Sequence, residues 1–226
     1  MKYTLPVLGL TALASALPQT TSPPPSFKIT NVISGGTGCP RGSIDVNWTD
    51  HKILPIYFGQ EFTAAVGPKA NITDSRKFCQ LNLQLEYTPG YSFAVYSAEY
   101  TGFAALDAGV TGTVKSTYYF SGLAEQYLLA AAPPRRYRST HTPIRTAADR
   151  AQTSSAQTLS GPTRALFNKQ DDVAVAVWSP CSGDALFNVD ASVALTPFAG
   201  PASGVLGIAR ESGRLSSSLY VQWKKC

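Results

Sequence analysis

Gln80-Leu-Asn-Leu-Gln-Leu-Glu-Tyr87 alternates polar and apolar residues without a break. Successive side chains of a β-strand point to opposite faces. Leu81, Leu83, Leu85 and Tyr87 therefore share one face, and Gln80, Asn82, Gln84 and Glu86 share the other. A helix would spread those apolar residues around its circumference and leave no side to bury. The stretch predicts a half-buried strand, one face on a core and one on water.

The same period recurs on both sides of it. Ile44, Val46 and Trp48 alternate with Ser43, Asp45 and Asn47, and Phe187, Val189, Ala191, Val193 and Leu195 with their polar or small neighbours. Leu219, Val221 and Trp223 repeat the pattern near the C-terminus. Composition predicts further strands over Phe27–Ile33, Ile53–Phe58, Tyr91–Tyr100, Val114–Phe120 and Val173–Trp178, the last with Ala on its second face and so covered on both sides. Gly35-Gly36, Pro89-Gly90, Gly109, Gly112, Ser182-Gly183 and Ser203-Gly204 supply turn chemistry between them. Short strands, each with one apolar face, predict an all-β fold: an antiparallel β-sandwich, jelly-roll-like and disulfide-stabilised.

The 226 residues suit one domain with a sizeable core. With 44% hydrophobic and only 15% charged residues, the chain is neither disordered nor a coiled coil. Its net charge of +5 invites an acidic partner, so the location of the charges matters. Residues 1–16 read as a signal peptide, with Lys2, an apolar Leu5–Leu13 and the small Ala14-Ser15-Ala16. Pro18, Pro23, Pro24 and Pro25 mark 17–26 as a linker, leaving 27–226 as a single domain. No later stretch reaches the ~18 apolar residues of a membrane span, so no membrane anchor is expected.

Cys39, Cys79, Cys181 and Cys226 form an even set, which in a secreted chain predicts two disulfides. Three pairings are open; closing the shorter loops favours Cys39–Cys79 and Cys181–Cys226. With only two His and no CxxC pair, neither a metal site nor any other cofactor is expected. Asn47-Trp48-Thr49 and Asn71-Ile72-Thr73 are N-glycosylation acceptors, at Asn47 and Asn71.

Residues 127–150 break the pattern. They hold Arg135, Arg136, Arg138, Arg145, Arg150, Asp149 and His141, show no alternation, and carry Pro133, Pro134 and Pro143 against any helix. An Arg-rich binding loop, a processing site at Arg135-Arg136 and a translated intron all account for such a segment. The intron reading is favoured. Removal preserves the frame and joins Gln126 to Ala151 within one smooth polar strand. Losing this segment together with Lys2 takes the net charge from +5 to 0. The case for a nucleic-acid partner disappears with it.

Several phrases are distinctive: Gly38-Cys39-Pro40-Arg41-Gly42-Ser43, Ile72-Thr73-Asp74-Ser75-Arg76-Lys77-Phe78-Cys79-Gln80-Leu81-Asn82-Leu83, Leu106-Asp107-Ala108-Gly109-Val110-Thr111-Gly112, Lys115 to Gly122, Trp178-Ser179-Pro180-Cys181 and Gln222-Trp223-Lys224-Lys225-Cys226. In order, from about Ile29 to Cys226, they resemble the secreted, largely fungal domain-of-unknown-function family 4360. The resemblance implies a small, disulfide-bonded, extracellular or wall-associated β protein, and transfers no activity.

Catalytic chemistry finds little footing. A Ser or Cys nucleophile needs a base, and His51 lies in a turn while His141 lies in the anomalous segment. A glycosidase needs two facing carboxylates; Glu61, Glu86, Glu99, Asp107, Asp171 and Asp172 are the candidates. Asp107 stands out in its Leu-Asp-Ala-Gly run, although an Asp bonding turn amides is the commoner role. Arg76 is a candidate for binding a carboxylate or sugar acid. The favoured alternative is an Arg–Asp pair with Asp74, clamping a short helical turn beside Cys79. Tyr91, Tyr96, Tyr100, Tyr118, Tyr119, Tyr220 and Trp48 could offer faces for sugar rings. Tyr118 and Tyr119 point to opposite sides, so at most one of them is buried. The sequence favours a secreted, non-catalytic β-sandwich at the cell wall or another surface, binding a glycan. A carbohydrate-active enzyme with a carboxylate pair and a host-interaction effector are the alternatives.

Overall fold

A computed structural model of the chain describes residues 22–46, 52–121, 152–197, 200–207 and 215–226. Residues 1–16 of the expected signal peptide, Asn47, Trp48, His51 and the 127–150 segment lie outside the described residues. The described elements are twelve strands: β1 (Phe27–Gly35), β2 (Asp45–Val46), β3 (Ile53–Phe58), β4 (Ala64–Val66), β5 (Arg76–Tyr87), β6 (Tyr91–Leu106), β7 (Thr111–Ser121), β8 (Gln152–Ser160), β9 (Thr163–Asp172), β10 (Asp184–Thr196), β11 (Gly204–Gly207) and β12 (Leu215–Lys225), with one 3-10 turn at Ile72–Ser75.

The alternation that predicted strands also sorts them into two sheets. One has five strands in the order β1-β5-β10-β7-β8; the other has seven, ordered β2-β3-β12-β6-β11-β4, with β9 on the free edge of β6. All pairings are antiparallel. The fold is a β-sandwich. Leu81, Leu83, Leu85 and Tyr87 are buried as their spacing requires, and the first three face Val189, Phe187 and Ala185 across the register.

An aromatic cluster centres on Phe93. Its ring lies 6.2 Å from Phe27, 5.9 Å from Tyr87, 5.1 Å from Phe120, 5.8 Å from Phe187 and 5.1 Å from Trp223, mostly edge to face. These neighbours come from both sheets, so one side chain bridges the two layers. The disulfides pair Cys39 with Cys79 and Cys181 with Cys226.

One expectation needs correction. Val173–Trp178 is not a strand. Val173 N donates to Tyr96 O and Ser179 N to Phe93 O, so six residues of this segment span three of β6 and must leave the sheet between those anchors. Only Val177 of its alternating set is buried, and Val175 is 59% exposed. β8 and β9 are edge strands of different sheets, paired with β7 and β6, and neither is marked by apolar alternation. Both are nearly all polar, and β8 turns Thr153 and Ser155 inward in place of aliphatic residues. Pro24, in the stretch expected as a linker, is buried, and Thr88 N donates to Ser26 O at 3.1 Å.

The register also brings Tyr119 of β7 opposite Gln152 of β8. The two ends between which residues 127–150 lie in sequence are thus neighbours in one hairpin.

Candidate functional site

The inward residues of β6 change phase. Phe93 and Val95 are buried in its first half; Ala98, Tyr100, Gly102, Ala104 and Leu106 are buried in its second. The pairing with β12 explains the change. Val221 faces Val95 and Tyr220 faces Ser97, which leaves Tyr96 as an extra residue, a β-bulge. A bulge bends its strand and re-aims side chains. Here it turns Tyr96, 43% exposed, onto the outer face of the seven-stranded sheet beside Tyr220. The two ring centroids are 6.3 Å apart and the planes inclined by 49°.

Glu99 lies next to this pair. The Tyr220 hydroxyl donates to Glu99 Oε2 at 2.5 Å, and Asn168 Nδ2 from β9 donates to Oε1. Gln170 Nε2 donates to Ser97 Oγ at 3.0 Å, and Ser97 Oγ donates to Asp171 O at 3.2 Å. The Tyr220 phenol is pushed up to about 12, first because it donates to Glu99 and then by burial and the neighbouring charge. It therefore remains a donor through the neutral range and holds the carboxylate still. Two inclined tyrosine rings beside a fixed carboxylate and two amides form a platform. The rings can cover the apolar face of a sugar, and the free lone pairs of Glu99 can accept from its hydroxyls.

A second cluster occupies the outer face of the five-stranded sheet. The register lines up Arg76–Ala194–Thr113, Phe78–Ser192–Lys115, Gln80–Asp190–Thr117 and Asn82–Asn188–Tyr119 in four successive rows across β5, β10 and β7. Gln80 Nε2 donates to the Tyr119 hydroxyl at 3.2 Å, and Asn188 Nδ2 donates to Ser121 Oγ at 2.8 Å while its Oδ1 accepts from Asn82. Burial raises the Asp190 carboxyl above the ordinary Asp range.

Of Asp107, Arg76, Tyr118 and Tyr119, Arg76 and Tyr119 fall together on this face and the other two do not. Tyr118, 1% exposed, is a core residue, hydrogen-bonded to Tyr100 at 3.1 Å and to Ser155 Oγ at 3.0 Å. Its parity with Val114 and Phe120 sends it inward. Burial holds its phenol well above the usual tyrosine range. Asp107 acts as a clamp. Its Oδ2 accepts from Ser203 N at 2.7 Å, and its own N donates to Ser203 O at 2.9 Å. The same turn closes through Val110 N to Asp107 O, with Gly109 at φ +82°, and a Cβ on Gly161 would come within 2.0 Å of Asp107 O. The Asp74 partner is also corrected. Lys77, three residues on, reaches back over the 3-10 turn to Asp74 at 2.8 Å, and its hydrogen bond lowers the Asp74 pKa. Arg76 is instead the first outward residue of β5.

A family model described as a domain of unknown function, DUF4360, matches residues 25–226. The chain belongs to that family. An uncharacterised secreted protein of Arthroderma benhamiae is 34% identical over 206 residues, covering 90% of this chain and 73% of that protein. Among solved structures, TmCBM61 in complex with β-1,4-galactotriose aligns over 88% of this chain and 91% of that one, at 10% identity and a TM-score of 0.24. No helix among the described residues is long and apolar enough to cross a membrane. The DUF4360 motifs fall largely on structural positions. Cys39 and Cys79 pair, Ser43 N bonds to Pro40 O at 3.0 Å, and Ser75 Oγ caps Ile72 O at 2.7 Å. Tyr96, Glu99 and Asn168 lie outside those motifs, although the break in alternation at Tyr96-Ser97 was a signal for the bulge.

Proposed function

We propose that this DUF4360 protein is a secreted, wall-associated or extracellular glycan binder, with Tyr96 and Tyr220 as its stacking surface and Glu99 and Asn168 as its polar contacts. The observation that carries the reading is the bulge that places Tyr96 beside Tyr220 next to a carboxylate already fixed by two donors. Binding is favoured over hydrolysis because Glu99, Glu86 and Asp107 are engaged. Both Glu99 oxygens accept hydrogen bonds, Glu86 pairs with Lys28 at 2.8 Å, and Asp107 clamps a turn. Retention of the secreted protein on insoluble neutral wall polysaccharides tests this, beside hydrolysis assays on the same polymers. Retention without turnover is the expected result. Turnover abolished by Asp107→Asn or Glu86→Gln would establish the enzyme reading instead, and failure to bind any wall polysaccharide would leave a host-interaction role.

Secretion rests on the leader-like residues 1–16, the linker over 17–26 and the two glycosylation acceptors. Asn71 is exposed, just before the 3-10 turn, where a glycan has room. Within the domain at 27–226, the 127–150 segment is read as an intron in the gene model. Because Tyr119 and Gln152 already face each other, deleting 127–150 leaves residues 122–126 and 151 to close an ordinary hairpin. The deleted chain is expected to fold with an undiminished unfolding midpoint. Mass spectrometry of the secreted protein should yield a peptide joining Gln126 to Ala151; peptides from within 127–150 would overturn the reading.

A further inference from the structure

The outer face of the five-stranded sheet carries a second, chemically different depression of about 290 Å³, lined in part by Arg76, Phe78, Gln80, Lys115, Asp190 and Ser192. Its floor is low because β10 places Ser192 and Ala194 there, between the longer side chains of β5 and β7. Arg76 stands on one wall and Lys115 on the other, two strands and one row apart. The strand spacing puts their backbones about 10 Å from each other across the sheet. Both side chains are exposed, and among the described residues neither has an ion-pair partner; the pairs present are Lys28–Glu86 and Lys77–Asp74. Asp190 is the one opposing charge, at the end of the trough. Phe78 is 47% exposed, an aromatic residue left on the polar face of a regularly alternating strand.

Two unpaired cations over a floor of small residues call for an anion between them, and an open ring with amide and hydroxyl groups alongside calls for a sugar. We infer that this trough binds a carboxylate-bearing saccharide, a uronate unit of an acidic polysaccharide. Its carboxylate lies between Arg76 and Lys115, its ring against Phe78, and its hydroxyls reach Gln80 and Thr117. The site is separate from the tyrosine platform, which lies on the other sheet and carries a fixed carboxylate that would repel such a ligand.

The test is binding of the full secreted chain to polygalacturonate at low and moderate salt, beside fully methyl-esterified polygalacturonate and poly-glutamate. The wild type is expected to bind polygalacturonate, more weakly as salt rises, and to bind the ester at least about 10-fold less tightly. Arg76→Ala and Lys115→Ala should each weaken binding by about 10-fold, the scale of one charge-assisted hydrogen bond. Asp190→Asn should tighten it, and the remote Lys69→Ala should leave it unchanged. Equal binding of ester and acid, or of Arg76→Ala and wild type, would overturn the proposal. Poly-glutamate bound as tightly as polygalacturonate would reduce the trough to a general anion site and overturn the saccharide assignment. Retention on neutral polysaccharides reports on the platform alone, so either site can fail without the other.

Discussion

Phe93→Ala is expected to destabilise the sandwich by about 3–5 kcal/mol, the range for truncating a fully buried aromatic residue. Phe93 is 0% exposed and makes ring contacts with Phe27, Tyr87, Phe120, Phe187 and Trp223. Those partners belong to β1, β5, β7, β10 and β12, so none can move into the cavity without dragging its own strand. Edge-to-face pairs add specific attraction beyond area, and several would be lost together. For a domain of this size the change lowers the thermal midpoint by roughly 6–20 °C. Phe93→Leu, which keeps most of the volume, should cost clearly less. Denaturant unfolding of the two variants checks the ordering; equal stabilities would mean that the ring contacts contribute little.

Removing the Cys181–Cys226 disulfide by a double Ser substitution is expected to cost about 4 kcal/mol, from the loop of 45 residues that the bond closes. The bond ties the end of β12, in the seven-stranded sheet, to the segment entering β10, in the five-stranded sheet. Gly90 strengthens the junction: its N donates to Cys181 O at 3.1 Å and its O accepts from Cys226 N at 2.9 Å. Nearby, the Tyr87 hydroxyl donates to Pro180 O at 2.5 Å, and burial raises that phenol above its usual range. Loss of the bond therefore frees one end of the sandwich, where the sheets are stitched. Unfolding of the oxidised wild type and the double variant measures it; a difference under about 1 kcal/mol would show that the hydrogen bonds hold the junction alone.

The strands that were legible in sequence are those with one apolar face. Leu81–Tyr87 and Phe187–Leu195 lie on adjacent strands, β5 and β10, and their period survives because each pairs on both edges. β9 is obscure because an edge strand buries little, Phe167 being its one buried residue; β8 reads only as a polar strand, and Ser155 serves the core by bonding to Tyr100 and Tyr118. Val173–Trp178 misled because its period was right and its pairing was not, since β6 had no free length to match it. Site residues were harder to read. The aromatic inventory included Tyr96 and Tyr220, yet only the register shift in β6 brings them together. Arg76 was discounted in favour of a pairing with Asp74 that Lys77 makes instead. Phe78 was visible as an aromatic residue out of phase with Cys79 and Leu81, a signal of exposure carried by parity alone.

The bulge-built tyrosine pair is proposed to bind a neutral glycan. Its most direct test is the affinity of the secreted chain and of its Tyr96→Ala and Tyr220→Ala variants for the wall polysaccharide that retains it. Unfolding midpoints should be measured on the same samples. Each variant is expected to keep its fold and to lose about 10–100-fold in affinity, the worth of one stacked ring. Folded variants that bind as tightly as the wild type would contradict the assignment of the platform.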